Sequence, residues 1–375
     1  MLSAAAGHLL INAAGLSSGA QVVRNAVALS ALMSKPISLI NHRKKKRNSG
    51  LTHQNIADVN LVKDICSAKT TDCHLRSFKM DFAPSRIQTP GRYLSDTGFI
   101  TSPSLSIQAA LPCLSFSQEP GPSKLFLVGR TNGRRETQID YTKHVLFPFL
   151  HRRFGLDHKL DIVRRGYPEQ GGGIVNVDVA HTPGPLPSVN LLERGAVTSI
   201  KGRAYVYGED AQLADRIRSA ATSTLIMADV NPEIIDITPV LERAPANTPD
   251  AHKASGLVLW AETRNGCVLG SSSQGIHPPD PRIIGRNAAK VLLRNMGHEG
   301  CVDEYLQDQM IVFLALAKGT SCIRTGPLTD DTRAAIAIAE QLTGAKFQVM
   351  ADGSNPSSLM ISCEGIGYTA DYVPS

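Results

Sequence analysis

A phenol, a carboxylate and an amide fall on one helical stripe late in the sequence. Tyr305 precedes Asp308 by three residues and Gln309 by four, inside Glu304-Tyr305-Leu306-Gln307-Asp308-Gln309. Side chains at those spacings are neighbours on a helix. A helix-presented Asp could hold a metal ion beside a triphosphate. The ordinary reading of the same residues is core packing for Tyr305 and a solvated helix face for Asp308 and Gln309. A second chemical group is basic: Arg43-Lys44-Lys45-Lys46-Arg47. Such a run fits a phosphate-facing loop, a nucleic-acid patch, a nuclear signal or a plain solvated loop. Asp330 and Asp331 follow Thr329, a residue type that caps helices. Acidic side chains in a first helical turn stabilise it by about 0.3–1 kcal/mol, which alone accounts for both.

The elements that must position these residues are legible from periodicity. The 375 residues suggest two or three domains, and 42% hydrophobic side chains exclude wholesale disorder. No apolar run of about 18 residues spans a membrane. The net charge of +6 permits a polyanionic partner without demanding one. Seven cysteines without a CxxC pair indicate neither a zinc ribbon nor a disulfide framework, so reduced thiols in an intracellular compartment are expected. The first acidic residue is Asp58, and this basic start resembles a mitochondrial presequence. Helical spacing over 21–33, after a short strand at 8–12, favours a folded start instead. Further along, helices are predicted over 54–66, 99–116 (ending near Pro112) and 141–154 (broken or kinked at Pro148), with a strand at 124–128. Linkers at His181–Pro187 and His277–Pro281 bracket a small α/β domain. It holds a strand at 197–207, a helix at 210–225 and a hairpin at Asn265-Gly266. The larger domain resumes with a helix at 283–296, then a helix at 302–318 stopping at Gly319, a strand at 321–325, and a helix from the Thr329 cap to Gly344. Strand and helix patterns alternate throughout, which predicts an α/β or α+β fold.

Several of these segments, taken in order, resemble the RNA 3′-terminal phosphate cyclase family. They are Gly19-Ala20-Gln21-Val22-Val23-Arg24, Ser49-Gly50-Leu51-Thr52-His53-Gln54, Leu111-Pro112 and Gln138-Ile139-Asp140-Tyr141-Thr142. Arg165-Gly166-Tyr167 with Gly171-Gly172-Gly173, then Glu193-Arg194-Gly195, continue the series. Glu304 to Gln309 with Thr325-Gly326-Pro327 closes it, so the resemblance covers about residues 8–370. The resemblance implies a large α/β domain of three repeated units, each a four-stranded sheet with two helices, plus a small inserted α/β domain. The corresponding boundaries are 8–183 and 282–370 for the large domain and 184–281 for the insertion. It implies an ATP-dependent conversion of an RNA 3′-phosphate into a 2′,3′-cyclic phosphate, with Mg2+ or Mn2+, at RNA 3′ ends and in the nucleus. A histidine first accepts AMP, which then caps the RNA phosphate so that the neighbouring 2′-hydroxyl displaces it.

Carried over residue by residue, the resemblance assigns nucleotide contacts to Gln108, Tyr305, Asp308 and Gln309. It assigns phosphate contacts to Arg24, Arg43, Lys46 and Gln54, and a metal to Asp308. Three departures stand out. The family's Glu-Gly-Gly-Gly-Gln reads Ser17-Ser18-Gly19-Ala20-Gln21, and its Ile-Arg-Ala-Gly-Arg reads His42-Arg43-Lys44-Lys45-Lys46. The family's nucleophilic histidine position is Asp331. A carboxylate adds like charge to a triphosphate where imidazole does not, so position 331 separates a working cyclase from a relative that only binds RNA or nucleotide. His53, beside Gln54, and His144, after Asp140, are the candidate substitutes.

Overall fold

The computed structural model describes all residues except 1–4, 17–18, 43–49, 99, 134–135, 168–170, 245–248, 250–251, 276–279, 354 and 372–375. The expected basic loop with Arg43 and Lys46, the Ser17-Ser18 departure and most of the second linker therefore lie outside the described residues.

The chain begins with β1 (Leu9–Asn12), α1 (Gly19–Leu32), β2 (Ile37–Ile40), α2 (His53–Cys66), β3 (Lys69–Thr71) and β4 (Lys79–Ala83). The start is thus folded: the strand and helix expected there are in place. A second run gives β5 (Arg92–Asp96), α3 (Pro103–Leu114), β6 (Ser123–Gly129), α4 (Ile139–Tyr141), α5 (Phe147–Phe154), β7 (Lys159–Arg164) and β8 (Gly173–Val179). The strand β9 (Asn190–Leu191) is followed by β10 (Val197–Tyr207), α6 (Ala211–Ile226), β11 (Ile235–Glu242), β12 (Ala254–Thr263), β13 (Val268–Gln274) and α7 (Pro281–Gly297). The chain closes with α8 (Leu306–Gln309), α9 (Ile311–Leu316), β14 (Lys318–Thr325), α10 (Asp330–Thr343), β15 (Lys346–Ala351) and β16 (Leu359–Ile366).

Four sheets of four strands result, so the fold is mixed α/β as expected. Three of them repeat one plan, in the orders β1-β2-β4-β3, β5-β6-β8-β7 and β9-β14-β16-β15. In each, the first two strands pair parallel and the remaining pairs are antiparallel. The fourth sheet, β11-β10-β12-β13, also has one parallel and two antiparallel pairs but places its strands in a different chain order. It interrupts the third repeat between the parallel partners β9 and β14.

One apolar cluster runs through the three repeated sheets and α1, α2, α3, α5, α9 and α10. At its centre α1 is buried from Gln21 onward, with Val22, Val23, Ala26, Val27 and Leu29 at 1% exposure or less. Burying a Val or Leu side chain contributes about 1.5–3 kcal/mol, so this helix is fixed by packing rather than propensity. A separate apolar cluster serves the fourth sheet and includes Ile284, Ala288, Ala289 and Leu292 of α7. The helix expected to reopen the larger domain therefore packs on α6 and the small sheet.

Several element edges differ from the sequence expectation. Pro112 lies inside α3, which runs on to Leu114. A proline this near a helix end removes only the donor to the Gln108 carbonyl. The helix over 139–154 widens to π-type turns at Thr142–Leu146, and Pro148 sits in the first turn of α5. The Asn265-Gly266 hairpin is longer than a two-residue loop: the Gly266 amide donates to Thr263 and the Thr263 amide to Cys267. Gly266 takes φ +75° and forms the bulge of a type I turn. The helix expected over 302–318 is two short pieces, and Gly319, at φ +87°, lies within β14 instead of capping a helix. Its apolar run, Met310 to Ala317, is wholly buried, so no amphipathic stripe was available to mark the break.

Candidate functional site

Three helices bring polar side chains to one buried point. Arg24, on α1, is 6% exposed. Its Nη2 donates to Gln21 Oε1 at 2.5 Å, while Nε and Nη1 have no hydrogen-bond partner among the described residues. Asp58, on α2, is fully buried, with Oδ2 3.9 Å from Arg24 Nη1. Gln54, one turn earlier on α2, donates from Nε2 to Asp58 Oδ1 at 2.8 Å and accepts from the Ser102 amide at 2.7 Å. Ser106, on α3, donates to the same Asp58 oxygen at 2.9 Å. The helix turns Gln108 roughly 200° from Ser106. Gln108 is half-buried and stays out of this hydrogen-bonded set.

The segment 303–309 approaches the same point from the other side. Asp303 is fully buried and shapes the turn: its Oδ1 accepts from the Tyr305 and Leu306 amides at 2.8 and 3.0 Å and from the Tyr141 hydroxyl at 2.7 Å. Its Oδ2 accepts from the Gly270 amide at 2.6 Å, tying the turn to β13. A side chain at Gly270 would meet the Tyr141 ring 2.5 Å away, so glycine is required there. Tyr305 packs edge-on to Tyr141 with ring centres 5.9 Å apart. Gln307 is the bolt to α10. Its Nε2 donates to Thr325 Oγ1 at 2.6 Å, and its Oε1 accepts from the Thr329 amide at 2.9 Å and Thr332 Oγ1 at 2.7 Å. This fixes Asp308 relative to Asp331, which is exposed in the first turn of α10 behind the Thr329 cap. Gln309 donates to the Tyr305 carbonyl at 2.7 Å, and its Oε1 is buried without a hydrogen-bond partner among the described residues.

The electrostatics of the site are acidic around one arginine. Burial pushes the Asp308 carboxyl up to about 8; Asp331 adds to the rise and Arg24 opposes it. Burial likewise raises Glu136, in the loop before α4, to about 7, against the pull of Arg130 and Arg24. Asp58 rises to about 6, burial outweighing Arg24 and its two hydrogen bonds. Asp303 also rises to about 6 by burial, despite its four donors. Among the described residues, no three His, Cys, Asp or Glu side chains stand ready to hold a metal ion. Asp308 and Asp331 are two oxygen-bearing groups whose mutual repulsion a divalent cation would relieve. That fits a hard ion taking its other oxygens from phosphate and water.

The structure thus gathers Arg24, Gln54, Asp308 and Asp331, with Tyr305 and Gln309 on the same turn as Asp308. Asp58, Asp303, Gln307 and Glu136 are missed by the sequence reading; Gln307 and Asp303 adjoin the motif, but nothing in their spacing announces burial. The two substitute histidines differ in setting. His144 stacks flat on Trp260 with ring centres 4.1 Å apart. His53 is exposed in the first turn of α2. Other motif residues are joints: Arg165 grips Asp140 with two bonds of 2.6 and 2.7 Å, and Arg194 donates to the Met296 carbonyl at 2.7 Å.

Comparison with known proteins gives the family. A sequence profile described as RNA 3′-terminal phosphate cyclase matches residues 16–349. The RNA 3′-terminal phosphate cyclase of Drosophila melanogaster is 32% identical over 361 residues, covering 96% of this chain and 97% of its own. A probable RNA 3′-terminal phosphate cyclase of Dictyostelium discoideum is 32% identical over 94% of this chain and 82% of its own. The Staphylothermus marinus RNA 3′-terminal phosphate cyclase is 31% identical over 93% of this chain and 96% of its own.

Proposed function

This chain belongs to the RNA 3′-terminal phosphate cyclase family, and on that footing we propose that it acts at RNA 3′-phosphate ends with ATP, forming 2′,3′-cyclic phosphates. The observation that carries the reading is that Arg24, buried beside Asp58, lies within electrostatic reach of the buried Asp308. Arg24 keeps Nε and Nη1 without hydrogen-bond partners among the described residues, charged donors that suit a phosphate. Tyr305 and Gln309 supply a ring and an amide for the nucleoside, with Gln108 as a further amide on α3. Arg43 and Lys46 belong to the proposed phosphate contacts. Mg2+ or Mn2+ held at Asp308 would screen the triphosphate's charge.

The chain's own residues orient and hold. Gln21 accepts from Arg24 Nη2 and fixes the guanidinium, and Gln307 sets the distance between the Asp308 turn and α10. A phosphate monoester is a poor electrophile, and an adenylate cap supplies the leaving group. The position that takes AMP in this family is Asp331, which approaches phosphate with like charge.

That single substitution favours a second reading, a relative that binds nucleotide and RNA ends without completing the transfer. Incubation with α-labelled ATP and an RNA ending in a 3′-phosphate separates the two. Cyclic-phosphate product supports the first reading. Binding of both ligands without product supports the second, and failure to bind either removes both. A nuclear location is part of the proposal, and imaging a tagged chain tests it.

A further inference from the structure

Arg24 and Gln54 are the two described side chains assigned to the phosphate, and both are turned onto a carboxylate of the chain itself. Asp58 Oδ1 accepts from Gln54 Nε2 at 2.8 Å and from Ser106 Oγ at 2.9 Å. Asp58 Oδ2 faces Arg24 Nη1 at 3.9 Å, and neither of those two atoms has a hydrogen-bond partner among the described residues. The pair is close enough to attract and too far apart to satisfy either group. The gap leaves the guanidinium with donors to spare beside a fixed negative charge.

We propose that Asp58 sets the affinity of this site for phosphate by standing on Arg24 and Gln54 as a resident anion. The inference rests on the reading that the site takes a polyphosphate. An incoming phosphate must share Arg24 with Asp58 at a distance where like charges repel strongly in a desolvated setting. Two more acids bear on the arginine, Glu136 from the loop before α4 and Asp308 from α8; burial raises both, so they add to the repulsion as pH climbs through about 7 and 8. Arg130 is engaged with Glu136 at 3.5 Å. Gln54 is similarly committed, since its amide nitrogen serves Asp58 and its oxygen accepts from the Ser102 amide. Removing the Asp58 charge while keeping its shape frees the arginine and leaves the Gln54 and Ser106 donors an acceptor.

The test measures binding of inorganic tripolyphosphate, ATP and adenosine to the unmodified chain, to Asp58→Asn and to Asp58→Asn combined with Arg24→Gln. Asp58→Asn should tighten tripolyphosphate and ATP at least tenfold, about 1.4 kcal/mol. Adenosine should bind both chains equally, and the double variant should lose the gain. Thermal unfolding of each variant verifies the fold. Equal ATP affinity in the unmodified chain and Asp58→Asn overturns the inference and leaves the ATP site standing. A tenfold gain shared by adenosine also overturns it, because that reports a reshaped site instead of a removed charge. Absence of ATP binding in all three overturns the inference together with the reading beneath it.

Discussion

Asp308 is pressed from two sides by its own kind. Burial, Asp331 and Asp303 all raise its carboxyl, which titrates at about 8 in the folded chain against 3.8 as an ordinary aspartate. An acid with a raised folded value favours the native state when protonated. Its contribution is complete below 3.8 and is lost as pH climbs through about 8. Buried His158 works the other way, with a folded value near 3 against 6.5, so its effect is finished above pH 6.5. Asp308→Asn should therefore raise stability by about 1–3 kcal/mol at pH 8 and change little at pH 4, while weakening ATP binding. Unfolding midpoints of both chains across that range read the difference; a constant offset would show that charge is not the cause. At position 331 the chemistry is separable from binding. Asp331→His should raise covalent labelling from α-labelled ATP at least about tenfold, since a neutral nitrogen attacks without added charge. Equal labelling would remove position 331 from the transfer.

At the scale of elements, the site depends on how a short turn is fastened to a helix. α8 has only four residues and cannot hold itself. Gln307 supplies the fastening through Thr325, Thr329 and Thr332. Gln307→Leu keeps the volume and strands those partners, which should cost about 2–3 kcal/mol. ATP affinity should fall with it, because Asp308 loses its register against α10. Gln309→Leu, where the side chain bonds only a carbonyl of its own turn among the described residues, should leave stability nearly unchanged. Denaturant midpoints for the two variants make the comparison, and equal losses would deny Gln307 its special place. Much of this layer was legible: α2, β10 and α10 follow their periodicity closely, down to the Thr329 cap and the Gly344 stop. The 303–309 region was not. A fully buried apolar run has no polar face to show its period, and a caged Asp303 reads the same in sequence as a solvated one. Asp58 escaped for a similar reason, since it lies between Ala57 and Val59 in a helix buried on more than one side. The resemblance pointed to Arg24 and Gln54, but only the structure reveals that Asp58 binds Gln54 and faces Arg24.

Over the whole molecule, the threefold plan is plain in strand order and direction and absent from the letters. A sheet needs alternation and turns, not particular residues, so the repeats can share topology without sharing side chains. What does need particular residues is the joint between the repeated sheets and the small one. Asp140 is nearly fully buried, and Arg165 binds it with two short bonds, holding the carboxyl below its ordinary value despite burial. Arg165 reaches on to Glu242 of β11 at 3.2 Å, and Arg203 of β10 pairs with the same glutamate. The approach of strands here is tight enough that a side chain on Gly166 would meet the Gly173 amide nitrogen 2.4 Å away. Arg152 and Arg153 add bonds to the carbonyls of Gly266 and Asn265 at 3.0 and 3.1 Å. Breaking a buried pair costs more than removing it whole, because the survivor's charge is left uncompensated. Arg165→Met should thus destabilise by about 3–5 kcal/mol and speed amide exchange in β10 and β11. Adding Asp140→Leu to Arg165→Met should recover part of that loss, a coupling that denaturant melts of the two singles and the double measure directly. Additive losses would mean that Asp140 and Arg165 act separately.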